Sequence, residues 1–203
     1  MTSLQGKTLL VTGASSGIGQ ALCGALVERG ANVLGVTRRS SVLSEDISPI
    51  LADLSKPEQV AAIFDGLGKI DGLINCAGVA YLSRIIDGDP REWQEMWSVN
   101  VMALTLCCQL SLKHFPATGG RIINVSSMSG HRVPPSGGFY APTKIRSESH
   151  YRFIARRAKS RRISRSGCLR FTWICRYAIA RLIFPRTGAN LGPNQSRNPN
   201  APA

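Results

Sequence analysis

The sequence is poor in several features, each of which would have pointed to a different kind of protein. Its longest apolar stretch, Val99 to Phe115, is broken by Asn100, Thr105, Gln109 and Lys113. That suits a buried helix and excludes a membrane span, which needs about 20 predominantly apolar residues. No charged segment followed by a long apolar one opens the chain; "GKTLLVTG" reads as a short strand, so no secretory signal is expected. The six cysteines, Cys23, Cys76, Cys107, Cys108, Cys168 and Cys175, have neither metal-ligand spacing nor the density of a disulfide scaffold, and a reducing, cytoplasmic setting is expected. Acid is scarce in one region only. Residues 145–203 hold 1 acidic residue against 13 Lys and Arg, whereas residues 1–144 hold 11 against 12. The net charge of +13 therefore belongs to the tail and is no property of the chain as a whole.

What is present is enough for a single domain: 203 residues with 43% hydrophobic content bury a real core. Thr8 to Val11 is a short apolar run ended by Gly13. Ile18 to Glu28 then carries apolar residues at helical spacing until Gly30. Strands are expected at Ala31 to Thr37, Ile50 to Asp53, Leu73 to Asn75 and Arg121 to Ser126, with helices at Pro57 to Phe64, at Arg91 to Phe115 as one long element, and from about Tyr140. Strands alternating with helices imply a parallel α/β sheet with right-handed crossovers and helices on both faces. The link "SSVLSEDISP" is too short for a full crossover helix between the second and third strands.

"VTGASSGIG" places Gly13, Gly17 and Gly19 between the first strand and the first helix. Glycine allows the tight turn and a close backbone approach, and the helix start offers free N–H groups and a positive dipole end to a phosphate. A strand-to-helix turn without a ligand would use the same letters. Its place after the first strand of an alternating pattern favours the phosphate.

Five motifs in order, TGxxxGIG at Thr12 to Gly19, "NCAG" at Asn75 to Gly78, Asn100 in "WSVN", "INVSS" at Ile123 to Ser127 and YxxxK at Tyr140 to Lys144, together resemble the short-chain dehydrogenase/reductase family. The resemblance covers residues 1–144. It implies a Rossmann-type doubly wound parallel sheet, C-terminally incomplete here, with an NAD(P)-binding domain over 1–144 and a basic tail over 145–203. It also implies cofactor contacts from Gly13, Ser15, Ser16, Gly17, Ile18, Gly19, Asp53, Leu54, Asn75, Ala77, Gly78, Tyr140 and Lys144. Cys76 stands where the family usually has a second asparagine.

The second strand ends in "VTRRSS". An acid there would hold the ribose hydroxyls of NAD, whereas a 2′-phosphate calls for arginine, whose planar fork pairs with phosphate oxygens. Thr37, Arg38 and Arg39 supply two cations and no acid, so NADP(H) is expected, with NAD(H) as the other possibility.

Tyr140 and Lys144 are i and i+4, on one face of a helix. A neighbouring ammonium favours the ionised form of a phenol, and the resemblance gives Tyr140 the role of general acid/base toward a carbonyl or alcohol. By the same resemblance Ser127 would polarise the substrate oxygen, Asn100 would hold a water beside the lysine, and Lys144 would hold the nicotinamide ribose. The implied partner is a small-molecule carbonyl or alcohol. The family also suggests a homo-oligomer, made doubtful here by the altered C-terminus. Met128, His131 and Val133 are candidates for lining the substrate pocket.

After Lys144 the text changes to arginine and serine. Shifting the reading frame by one base from Ile145 permits codons for "FAVKAITDSLRAEL" over residues 145–158, an amphipathic helix, and "SPGFVDT" over residues 171–177. The glycine of the second string is forced, because Trp173 has one codon and every isoleucine codon begins with A. A frameshift near codons 144 and 145 is therefore expected, to be checked on the gene. It would leave the sheet edge beyond the fifth strand and one face of the long helix uncovered, with weak folding, weak cofactor binding and little turnover. Two other readings stay open: a nucleotide-binding protein without turnover, and a basic arm, Arg152 to Arg165 with Trp173 and Tyr177, that binds nucleic acid. No specific nucleic acid and no membrane partner are expected.

Overall fold

The structure is a computed structural model and describes residues 3–39, 43–130, 132–144 and the backbone of 170–175. Strands β1 (Thr8–Thr12), β2 (Asn32–Thr37), β3 (Ile47–Leu51), β4 (Gly72–Asn75), β5 (Arg121–Ser126) and β6 (Arg170–Cys175) form one sheet in the order β3-β2-β1-β4-β5-β6. Every pairing is parallel. Helices α1 (Gly17–Val27), α2 (Pro57–Asp65), α3 (Pro90–Trp97) and α4 (Leu104–Ser111) lie between them in sequence.

Alternating side chains supply both faces of the sheet, as central parallel strands require. Leu9, Val11 and Ile74 pack with Cys23 and Leu26 of α1. Leu10, Leu73 and Ile122 turn the other way, onto Val60, Ile63 and Phe64 of α2 and Leu104, Cys107 and Cys108 of α4. Two helix starts are set by local chemistry: Pro57 and Pro90 occupy first-turn positions where no N–H partner is lost, and the Asp89 carboxylate accepts from the Arg91 N–H at 2.8 Å.

Three expectations are corrected. The third strand comes earlier than Ile50 to Asp53, because "ISPIL" forms the sheet edge, where Pro49 can face out of the ladder without losing a bond. The long helix from Arg91 to Phe115 is instead α3, a π-helical turn at Ser98–Ala103 and α4, which stops at Ser111. The edge beyond β5 is not bare: β6 pairs with it from Arg121↔Arg170 to Ser126↔Cys175. Phe171, Thr172, Trp173 and Ile174 are β-branched and aromatic residues that favour extended backbone, a signal masked by the surrounding arginines. The remaining expectations for residues 145–169 and 176–203, and for His131, fall outside the described residues.

Among the described residues no helix is long and apolar enough to cross a membrane, and no group of His, Cys, Asp and Glu could hold a metal ion.

Candidate dinucleotide cavity and tyrosine-lysine site

The chain leaves β1 for β2 on one side, while β4 lies on the other. A crevice therefore opens at the carboxyl ends of β1 and β4, where open α/β sheets bind ligands. It is a cavity of about 310 Å³ lined by Gly13, Ser15, Ser16, Gly17, Ile18 and Gly19 from the first loop and α1. Thr37 and Arg38 come from the end of β2, Asp53 and Leu54 from the end of β3, and Cys76, Ala77 and Gly78 from the end of β4. Twelve of the expected cofactor contacts thus share one wall.

Local chemistry fits that wall to a phosphate-bearing ligand. Gly13 has φ +70°, and a Cβ there would lie 2.7 Å from the Ala77 Cα, so only glycine lets the first loop close on the β4 loop. Thr12 is the clasp: its buried hydroxyl accepts from the Cys76 and Ala77 N–H groups, both at 3.2 Å. At the start of α1 the Ser16 side chain makes no capping bond and the first turn holds no acid. The helix's first N–H groups and its dipole therefore face the cavity without a side chain satisfying them.

The Asp53 carboxylate accepts from the Ser55 N–H at 3.0 Å and the Ser55 hydroxyl at 2.8 Å, and the Ser55 bonds, backbone first, hold it below the usual carboxylate range. It is ionised at neutral pH. Arg38 is exposed and has no ion-pair partner among the described residues. Four expected contacts, Arg39, Asn75, Tyr140 and Lys144, are not part of this lining. Asn75 is buried in the sheet, where its Nδ2 donates to the Asn124 Oδ1 at 2.8 Å. Arg39 lies outside the cavity lining, its main chain bonded to the Thr37 hydroxyl, which accepts from the Arg39 N–H at 3.1 Å and donates to its carbonyl at 3.0 Å.

Asn100 and Lys144 converge on Gly78, one of the residues that line the cavity. A Cβ on Gly78 would stand 3.1 Å from the Lys144 Nζ and 3.2 Å from the Asn100 Oδ1, so the bare glycine backbone lets both side chains approach. Asn100 is 0% exposed and sits in the π-helical turn, where the extra residue per turn turns it off the regular helix face. Its Oδ1 accepts from the Val79 N–H at 2.9 Å; its Nδ2 donates to the Val79 carbonyl at 2.8 Å and to the Thr143 hydroxyl at 3.1 Å. The Thr143 hydroxyl in turn donates to the Tyr140 carbonyl at 2.7 Å. This chain of bonds ties the turn that carries Asn100 to the helical residues 140–144, which carry Tyr140 and Lys144. Phe139, stacked on Trp93 of α3 at 5.6 Å, steadies the approach to that turn.

Lys144 is 6% exposed, and burial pushes its ammonium below the ordinary lysine value, partly offset by Cys76. Its Nζ lies 5.7 Å from the Tyr140 ring centroid, so the two side chains share one face as their spacing requires. The Cys76 thiol is pushed up to about 11 by burial, against the pull of Lys144, and is neutral at pH 7. Ser127 follows β5 directly, its hydroxyl accepting from the Ser129 N–H at 3.2 Å. The neighbouring Ser126 hydroxyl is buried and has no hydrogen-bond partner among the described residues. Met128 and Val133 are exposed.

Sequence reading passed over Thr12, Thr143, Glu95 and Tyr81. Glu95 and Val99 line the cavity from α3 and the π-helical turn, and their i, i+4 spacing was the available signal. The Tyr81 hydroxyl donates to the Glu95 Oε2 at 2.7 Å.

A parallel, doubly wound sheet with a glycine-built crevice at its switch point is an architecture of the Rossmann type. Comparison with known proteins narrows this: the short chain dehydrogenase family model matches residues 7–168, running past Lys144, and the chain belongs to that family. It is 37% identical over 160 residues to dehydrogenase/reductase SDR family member 11 of Bos taurus, covering 68% of this chain and 62% of that protein. The chain thus spans about 62% of the length of that relative. A short chain dehydrogenase from Burkholderia cenocepacia J2315 in complex with NADP superposes with a TM-score of 0.72 at 30% identity, covering 79% of this chain and 71% of that one. A second NADP complex from the same organism shares the fold with a TM-score of 0.76 at 24% identity, covering 86% and 73%.

Proposed function

We propose that this chain is built as an NADP(H)-dependent oxidoreductase that interconverts a small-molecule carbonyl and an alcohol. The observation that carries the reading is the junction at Gly78, where the dinucleotide cavity meets Lys144 and Asn100. When bound, the nicotinamide supplies or accepts the hydride. The chain's own residues do the rest. The α1 N-terminus and the Gly13 turn bind the pyrophosphate, Arg38 pairs with the 2′-phosphate, and Asp53 takes the adenine edge. Tyr140 gives or takes the proton at the substrate oxygen, and Lys144 places a cation beside it. Ser127 donates a hydrogen bond to the same oxygen. The NADP complex of a relative at 30% identity supports this choice of cofactor.

The change of sequence after Lys144 favours a second reading, a nucleotide-binding protein without turnover. Both are tested by NADPH consumption with a panel of aldehydes and ketones, in wild type and Tyr140→Phe. The oxidoreductase reading expects slow turnover that falls about 10²-fold or more in the variant while cofactor binding persists. Binding with no Tyr140-dependent turnover supports the second reading, and a folded chain that binds no cofactor refutes both.

A further inference from the structure

The cavity proposed above for the cofactor is not uniformly basic. Among the described residues its charged lining consists of Arg38, Asp53 and Glu95, and two of these three are acids. The Asp53 carboxylate is turned onto Ser55 and closes its own loop. Glu95 is different. It belongs to α3, on the wall provided by the helix and not by the strand ends, and the Tyr81 hydroxyl holds its carboxylate at 2.7 Å. Tyr81 also feels the charge of Arg38, which opposes the rise that its bond to Glu95 imposes on the phenol. Glu95, held by Tyr81, and Arg38 line the same crevice.

On the cofactor reading given above, we infer that Glu95, fixed by Tyr81, is a specificity determinant that opposes the 2′-phosphate and so limits the preference Arg38 creates for NADP(H) over NAD(H). The 2′-phosphate adds about 1.5 to 2 negative charges at pH 7. A fixed carboxylate in the same cavity repels it, and repels the common pyrophosphate equally in both cofactors, so only the ratio of the two affinities reports the effect. Across a solvent-connected cavity at low salt, one such charge amounts to about threefold.

The test is titration of the full chain with NADPH and with NADH, followed by tryptophan fluorescence, in wild type, Glu95→Gln and Glu95→Ala. Glutamine keeps an acceptor for the Tyr81 hydroxyl; alanine removes that bond as well. Both variants lack the charge, and both are expected to move the Kd ratio toward NADPH by about threefold or more in low salt, with the gap closing as NaCl is raised toward 1 M. A ratio equal to wild type in both variants, a shift toward NADH, or a shift indifferent to salt overturns the inference while leaving the cofactor reading intact. Wild type that binds neither cofactor overturns both.

Discussion

Asn100 and Thr143 offer the most exacting check on the site's architecture, because the link between them holds the π-helical turn against the turn of Tyr140 and Lys144. Replacing Asn100 by Ala removes the acceptor of the Val79 N–H and the donor to the Val79 carbonyl and the Thr143 hydroxyl. All this happens at a residue with no exposure, so water does not readily take its place. Leaving buried partners unsatisfied costs about 1–3 kcal/mol each, but a small hole can admit relaxation. A loss of about 2–4 kcal/mol follows for Asn100→Ala. Thr143→Val keeps the shape and removes one hydroxyl that accepts from Asn100 and donates to the Tyr140 carbonyl, for a loss of about 1–2 kcal/mol. Urea denaturation of wild type, both single variants and the double variant gives a coupling energy, expected at about 0.5–1.5 kcal/mol. In a domain whose total stability is of order 5–15 kcal/mol, these are readable shifts. Strict additivity would show that the two side chains do not work through one bond, and a loss below about 0.5 kcal/mol for Asn100→Ala would refute the burial argument itself.

Other consequences follow from single contacts. Gly13→Ala forces a side chain toward the Ala77 main chain at a backbone angle suited to glycine; it is expected to weaken NADPH binding more than tenfold, measured by calorimetry, and to cost about 1–3 kcal/mol of stability. Asp71 joins β1 to β4, accepting from the Thr8 N–H at 3.0 Å and the Lys7 ammonium at 2.8 Å; burial raises its carboxyl, yet the Lys7 and Thr8 bonds win and the net shift is downward. A carboxyl lowered by folding stabilises above its unfolded value of 3.8 and loses that contribution as pH falls through the folded value, so Asp71→Asn should flatten the acid limb of a melting-temperature profile. Lys144 is lowered by burial, and a lowered value has the same pH sense for a base: burying the ammonium is a penalty at low pH that is relieved as pH rises from the folded value toward the unfolded one, and Lys144→Met should remove that rise and weaken cofactor binding.

The parts of the site that were legible in the sequence are those in which one residue type has one job. Gly13 is required by a backbone that touches Ala77, and Arg38 and Asp53 follow strand ends that a parallel sheet brings to one edge. Tyr140 and Lys144 share a face because a helix has a fixed pitch. What was not legible depends on pairings between distant segments. The π-helical turn is invisible in an apolar run whose letters also suit an α-helix, and it is held by Val79 and Thr143, 21 and 43 residues away from Asn100. The β3 boundary is hidden because Pro49 argues against a strand until its edge position is known. Charge density in the tail hid "RFTWIC", whose β-forming residues pair with β5 all the same. Glu95 and Tyr81 meet only once the loop after β4 folds over α3.

Every proposed functional step requires the crevice at β1 and β4 to be a dinucleotide site. Calorimetric titration of the 203-residue chain with NADP⁺ measures this directly. Saturable one-to-one binding, weakened by Arg38→Ala far more for NADP⁺ than for NAD⁺, is the predicted result. Heats of dilution alone, from a chain whose circular dichroism shows it folded, would contradict it.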